Sequence, residues 1–207
     1  MIEVYILRHG EPAPRKPGSF IGQTAAPLSE TGREQARAWR GPLSRLPFAL
    51  AVSSDLARCV QTADLALEGH PVRRTQDSRL RELHLGDWQG LTPDEVKTRF
   101  PGQYEERGAR IASFVPPGGE SFIQVSRRVR TALYEYARAT LEMNGPLLLV
   151  AHLGVVRCAI CHTLNMPLRD LLRIEQGYAR CLVLRFDGRF REVAGLNLPA
   201  SALDAAP

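Results

Sequence analysis

Two short apolar runs, far apart in the chain, constrain the fold more than any other feature. IEVYIL (2–7) breaks off into Arg8-His9-Gly10-Glu11-Pro12, and LLLVA (147–151) breaks off into His152. Runs this short and this apolar belong to strands covered on both faces, as in a parallel sheet flanked by helices. Gly10 and Pro12 end the first run. Open α/β sheets build their sites at the carboxyl ends of the strands, so both histidines stand where they could act on a ligand.

The segments between supply the other layers. SETGREQARAW predicts a helix with Ser29 or Thr31 as its cap and Ala36, Trp39 and Leu43 at helical spacing. Phe48 to Val52 reads as a second strand, after which Ser54 is placed to cap a helix carrying Arg58 in its first turns. A third short strand is expected around Val72. Ser121 is placed to cap a long amphipathic helix with Val125, Val129, Leu133, Tyr136 and Leu141 on its apolar face. Gly154 follows His152 into a further helix. Ala179–Phe186 and Phe190–Val193 flank Asp187-Gly188 as an antiparallel hairpin, and the tail after Leu198 is expected to fray. This order predicts an α/β fold, a three-layer α/β/α sandwich with a mostly parallel central sheet. The 207 residues suit one domain over 1–207, with an irregular, cap-like excursion at about 81–117 that holds a short helix from Pro93 to Phe100.

Composition narrows the partners. With 44% hydrophobic and 24% charged residues, and no apolar stretch near the roughly 18 residues of a membrane helix, the chain reads as a cytoplasmic globular protein with no membrane partner. Arg8 interrupts the first apolar run too soon for a signal peptide. The net charge of +5 suits an anionic ligand, but the arginines are scattered and no basic run is interleaved with aromatics, so nucleic acid is not expected. Cys59, Cys158, Cys161 and Cys181 all lie in apolar segments; Cys158-Ala-Ile-Cys161-His162 lacks a second ligand pair, and no metal is expected there. The exposed part of the last hairpin could pair with a second copy, giving a homodimer.

Three strand ends converge on one rim of such a sheet, bringing Arg8 and His9, Arg58, and His152 together. A phosphoryl group in transfer spreads negative charge over three equatorial oxygens, and Arg8 and Arg58 can fork onto them. His9 attacks phosphorus only as a neutral imidazole, one ring nitrogen held as N–H by a carbonyl and the other free. His152 would carry a proton and donate it to another phosphoryl oxygen. A carboxyl group must protonate the leaving oxygen and then activate water. Glu82, among Leu80, Leu83, Leu85 and Trp88 in RLRELHLGDWQG, is one candidate, with a surface ion pair to Arg79 or Arg81 as its alternative use. Glu11 competes by its proximity to His9. Such chemistry needs no cofactor.

These residues resemble the histidine phosphatase superfamily, also called the phosphoglycerate mutase-like family, from Ile2 to about Phe186. LRHGEP is similar to its Arg-His-Gly-Glu signature and GQTAAPLSETGREQA to its Pro-Leu-(Ser/Thr)-x-x-Gly stretch. SSDLARCVQTA resembles the helix with its second arginine, LRELHLGDWQG the segment with its acid, and GGESF and LLLVAHLGVVR its two later motifs. The resemblance implies a phosphohistidine formed on His9, Glu82 as general acid and base, Arg8, Arg58 and His152 as the phosphate pocket, and no metal. Ala25 departs from the Asp or Asn of many relatives, and Leu153 from their usual Gly. Only Leu83 to Gly118 separates the acid from the GES motif, a shorter insert than in the cofactor-dependent mutases, which implies hydrolysis of a small phosphorylated metabolite. Mutase-type transfer and a catalytically silent phospho-ligand binding module are the alternatives. Within the family the chain looks most like the alpha-ribazole phosphatases, with alpha-ribazole 5'-phosphate as the implied substrate and sugar phosphates nearly as close. Substrate contacts are expected from the loop with Arg15, Lys16, Phe20, Gly22 and Gln23, from Leu153, and from Trp88 to Tyr104 across the cleft. Arg15 and Lys16 either meet a second anionic group or are simply solvated, two readings the sequence leaves open.

Overall fold

Both apolar runs become neighbouring central strands. The computed structural model describes residues 1–14 and 16–204. One sheet of six strands holds β1 (Ile2–Arg8), β2 (Leu50–Ser53), β3 (Arg74–Gln76), β4 (Leu147–Ala151), β5 (Cys181–Phe186) and β6 (Phe190–Leu198), in the order β3-β2-β4-β1-β5-β6. The first four are mutually parallel; β5 runs antiparallel to β1 and carries β6 antiparallel on the outer edge. Register then positions the site. Arg8 pairs with Ala151 and Ser53 with Val150, so the next residues, His9, His152 and Ser54, emerge side by side at one rim.

Successive strand residues face opposite layers. Val4, Ile6, Leu147, Leu149 and Ala151 pack with α6 (Phe122–Glu142) and α7 (Leu153–Thr163). Tyr5, Leu7, Leu148 and Val150 pack with α2 (Arg40–Ser44) and α3 (Ala57–Ala66), and α1 (Glu30–Arg37) lies against α3. Ser29 caps α1 by accepting from Gly32 N–H, and Ser121 with Gln124 forms a reciprocal capping box at α6. Helices α4 (Pro93–Arg99) and α5 (Gln103–Ala109) lie in the excursion, whose Leu83, Leu85, Trp88, Val96, Ile111 and Phe114 join the same core as α6 and α7.

Several expectations are corrected. The helix from Ser29 toward Leu43 is broken at Ala38–Trp39 into α1 and α2, and the buried Trp39 indole donates to the Ala179 carbonyl at 2.8 Å. Ser54 does not cap α3, whose N-cap Leu56 has no side-chain bond; its hydroxyl meets His152 Nε2 at 3.0 Å. The third strand starts at Arg74, two residues beyond Val72. Helix α5 was not expected because QYEERGA buries none of its residues and so shows no apolar stripe. The tail does not fray through 204: α8 (Ser201–Asp204) forms, and Leu203 packs on the α1–α3 side of the core.

At the exit of β1 two backbones touch. A Cβ on Gly32 would run into the Glu11 carbonyl, and one on Gly10 into the Gly32 carbonyl oxygen. Gly32→Ala should therefore lower the unfolding free energy by about 1–3 kcal/mol, the usual cost of overpacking. In the same urea titration Gly41→Ala, where a Cβ meets nothing within 4 Å, should be neutral or slightly stabilising.

Candidate active site

His9 leaves β1 with 5% of its surface exposed. Its Nδ1 lies 2.7 Å from the Gly10 carbonyl oxygen, which can only accept, so Nδ1 carries the proton. Nε2 is then the free nitrogen, and Arg58 Nε points at it from 3.3 Å. Burial first, then the Arg58 charge, push the imidazole well below its usual pKa and keep it neutral.

Arg58 sits in the first turn of α3, 2% exposed. Its Nη2 donates to the Gly22 carbonyl at 2.6 Å and its Nη1 to the Thr24 carbonyl at 3.2 Å. The long loop after Pro12 thus has a defined job, holding this guanidinium against His9. Arg8 stacks over the Tyr178 ring at 3.9 Å and donates through Nη1 to the Gln176 carbonyl, while its Nε is buried with no partner among the described residues. A buried unpaired donor costs about 1–3 kcal/mol, which an anion would offset.

His152, fully buried, lies 5.0 Å from His9 between ring centroids, with Ser54 Oγ at 3.0 Å and Cys59 Sγ at 3.3 Å from its Nε2. Burial and the Arg58 charge drive it toward the neutral form, contrary to the expectation that it carries an extra proton. It does not line the cavity but backs His9.

Glu82 is half-buried, and its carboxylate accepts from Leu83 N–H at 2.8 Å and Gly154 N–H at 3.2 Å. A Cβ on Gly154 would collide with Oε1. The surface-pair alternative fails because Arg79 binds Asp77 and Glu135, and Arg81 binds Asp55. Glu11 accepts from the Ser29 hydroxyl at 3.1 Å, beside the start of α1 and off the cavity wall. The backbone around Glu82 is gripped by Arg128 of α6, whose guanidinium donates to the carbonyls of Arg79, Arg81 and Glu82 and to the Glu120 carboxylate.

Arg8, His9, Arg58 and Glu82 open onto one cavity of about 250 Å³. Gly22 and Leu153 line it as expected, and so does Phe20. Gln23 does not; its amide donates to the Glu82 carbonyl at 2.9 Å. Lys16 is bound to Glu95 at 2.6 Å, Trp88 is fully buried in the core, and Arg15 lies outside the described residues. The sequence reading missed Arg107, Arg157, Tyr178 and Phe122, which also line the cavity. Arg157 had a signal, standing one helical turn after Leu153 in LLLVAHLGVVR; Arg107 and Tyr178, on an unexpected helix and a loop, had none. Cys158 and Cys161 are buried on α7, where burial raises both thiols, Cys161 to about 11.

The chain matches the model for the histidine phosphatase superfamily (branch 1) over residues 4–199. It is 36% identical over 176 residues to a protein of Mycobacterium tuberculosis named glucosyl-3-phosphoglycerate phosphatase, covering 80% of this chain and 76% of that one. It is 31% identical over 178 residues to the adenosylcobalamin/alpha-ribazole phosphatase of Salmonella typhimurium, covering 85% and 87%. Among solved structures, a mycobacterial glucosyl-3-phosphoglycerate phosphatase in complex with inorganic phosphate superposes with a TM-score of 0.84 at 32% identity, covering 97% of this chain and 99% of that one.

Two neutral buried histidines have a measurable consequence. The unfolded chain protonates its histidines near pH 6.5, so below that value it binds more protons than the fold and stability falls by up to about 1.4 kcal/mol per pH unit for each. Urea titrations between about pH 7.5 and 5.5 should show this loss, and His152→Gln should make the slope shallower.

Proposed function

The chain belongs to the histidine phosphatase superfamily, and from that premise we propose that it hydrolyses phosphate monoesters of small metabolites through a phosphohistidine on His9. One observation carries the reading: the His9 ring is locked with Nδ1 on the Gly10 carbonyl and Nε2 free beside Arg58, in the cavity that also holds Glu82. Nε2 attacks phosphorus as the bond to the ester oxygen breaks, and Glu82 gives its proton to the leaving alkoxide. Water then attacks phospho-His9 while the Glu82 carboxylate takes the water's proton, releasing phosphate and restoring the imidazole.

Arg8 and Arg58 bind the equatorial oxygens, already aimed by the Gln176, Gly22 and Thr24 carbonyls. Donors fixed before the substrate arrives need no reorganisation as charge shifts in the transition state. The fully buried His152 stays behind His9, its Nε2 engaged with Ser54 and Cys59, and supports the His9 ring from outside the cavity. Glucosyl-3-phosphoglycerate and alpha-ribazole, in the names of two relatives, share the required feature, a phosphomonoester on a small organic body.

His9→Ala should keep the fold yet bring hydrolysis of phosphate esters to background and abolish the acid-labile phosphoenzyme, followed by quenched labelling with a radioactive ester. Undiminished turnover would refute the nucleophile. Glu82→Gln should slow alkyl phosphates by about 10²–10⁴-fold, the usual worth of a general acid, and p-nitrophenyl phosphate far less. An equal loss on both esters would remove the acid from the scheme.

A further inference from the structure

The cavity holds more positive charge than one phosphate requires. Arg8, Arg58, Arg107 and Arg157 line it against the single carboxylate of Glu82. Four guanidinium groups face this space, and a phosphomonoester dianion cancels only two of their charges. Arg8 and Arg58 flank His9 directly, so the surplus lies with Arg107 and Arg157.

Arg73, Arg99 and Arg127, which lack an ion pair among the described residues, are exposed, but Arg107 and Arg157 line the cavity. Arg79, Arg81, Arg128, Arg185 and Arg191 each lie within 4.0 Å of a carboxylate, whereas neither Arg107 nor Arg157 has an ion pair among the described residues. Both are half-buried. Arg107 comes from α5, with its guanidinium 5.8 Å from the centre of the Phe20 ring. Arg157 comes from α7, where Nε donates to the Ile174 carbonyl at 3.0 Å and leaves the terminal nitrogens for another acceptor. Burial lowers the proton affinity of both, and the Arg157 charge lowers that of Arg107 further. Two half-buried cations facing one space whose wall holds a single carboxylate are a poor use of charge unless an anion enters between them.

We propose that Arg107 and Arg157 form a second anion subsite, so that the preferred substrate is a phosphomonoester bearing a further anionic group, a carboxylate or a second phosphate, on the body attached to the scissile phosphate. This rests on the phosphomonoesterase reading above and narrows it, excluding esters whose remainder is neutral, such as simple nucleoside monophosphates, as preferred substrates. The second anionic group meets these residues, and not Lys16, whose ammonium is taken by Glu95 at 2.6 Å.

The test uses matched esters and the ratio of their kcat/KM values. One pair is 2-phosphoglycerate against glycerol 2-phosphate, which differ by a carboxylate; the other is fructose 1,6-bisphosphate against fructose 6-phosphate. The wild-type protein should favour the doubly anionic member of at least one pair by about tenfold or more, the worth of one charge-assisted contact. The responding pair tells carboxylate from phosphate. Arg107→Gln, a change on a helix with no buried residue, should collapse that ratio, and Arg157→Gln should do the same. No preference in the wild type, or an unchanged ratio in both variants, overturns the subsite. His9-dependent hydrolysis of p-nitrophenyl phosphate in the same preparation separates the outcomes. If it persists while the ratios stay flat, only the subsite falls; if no ester is hydrolysed, the phosphatase reading falls and takes the subsite with it.

Discussion

An uncharged imidazole pressed against a buried guanidinium is the contact on which the site depends. Arg58 would be costly to bury alone, and His9 could not take the nucleophile's role proposed for it if it were protonated. Each resolves the other's difficulty. The Arg58 charge and the low-dielectric surroundings keep His9 neutral, while the Gly10 carbonyl decides which nitrogen is free. Arg58 in turn loses little hydration, because the Gly22 and Thr24 carbonyls replace water on its terminal nitrogens.

That contact sets the requirements on the surrounding backbone. The loop between Pro12 and Leu28 must return its carbonyls to Arg58, and it is tied down by Phe20 and Gly90, by Gln23 N–H to Gln89, and by Gln23 to the Glu82 carbonyl. The exit of β1 must pass so close to α1 that Gly10 and Gly32 have no room for a side chain. On the other wall, Gly154 leaves space for the Glu82 carboxylate, and Arg128 holds three carbonyls of the Arg79–Glu82 backbone with one planar group. The loop and the excursion are thus two jaws joined through Gln23 and Gln89, and the Glu82 carboxylate is positioned by both.

Much of this was legible in the residues. Apolar runs ending in Arg8-His9 and His152 specified buried parallel strands and basic residues at their ends, and Ser29 and Ser121 marked helix starts that the structure reproduces. Other residues were misplaced because their partners are distant in sequence. Ser54 had the local chemistry of a cap but meets His152, 98 residues away. Trp39 continued a helical pattern, yet its indole is satisfied by Ala179, 140 residues on, where the helix has already broken. Gln23 had the look of a substrate contact and instead bonds a carbonyl in the opposite jaw. Lys16 looked free until α4 brought Glu95 to it.

What the sequence by itself determined is the chemistry available and where along the chain it stands: hydrophobic periodicity sets the layers, and the residues that interrupt it set the reactive groups. Only the tertiary structure decided which of those groups share a cavity, because that follows from strand order and register, and pairing Arg8 with Ala151 is a long-range choice no local pattern encodes. The protonation of the histidines was decided there too. Burial and neighbouring charge, not residue type, fix whether an imidazole is neutral, and both are properties of the packed molecule.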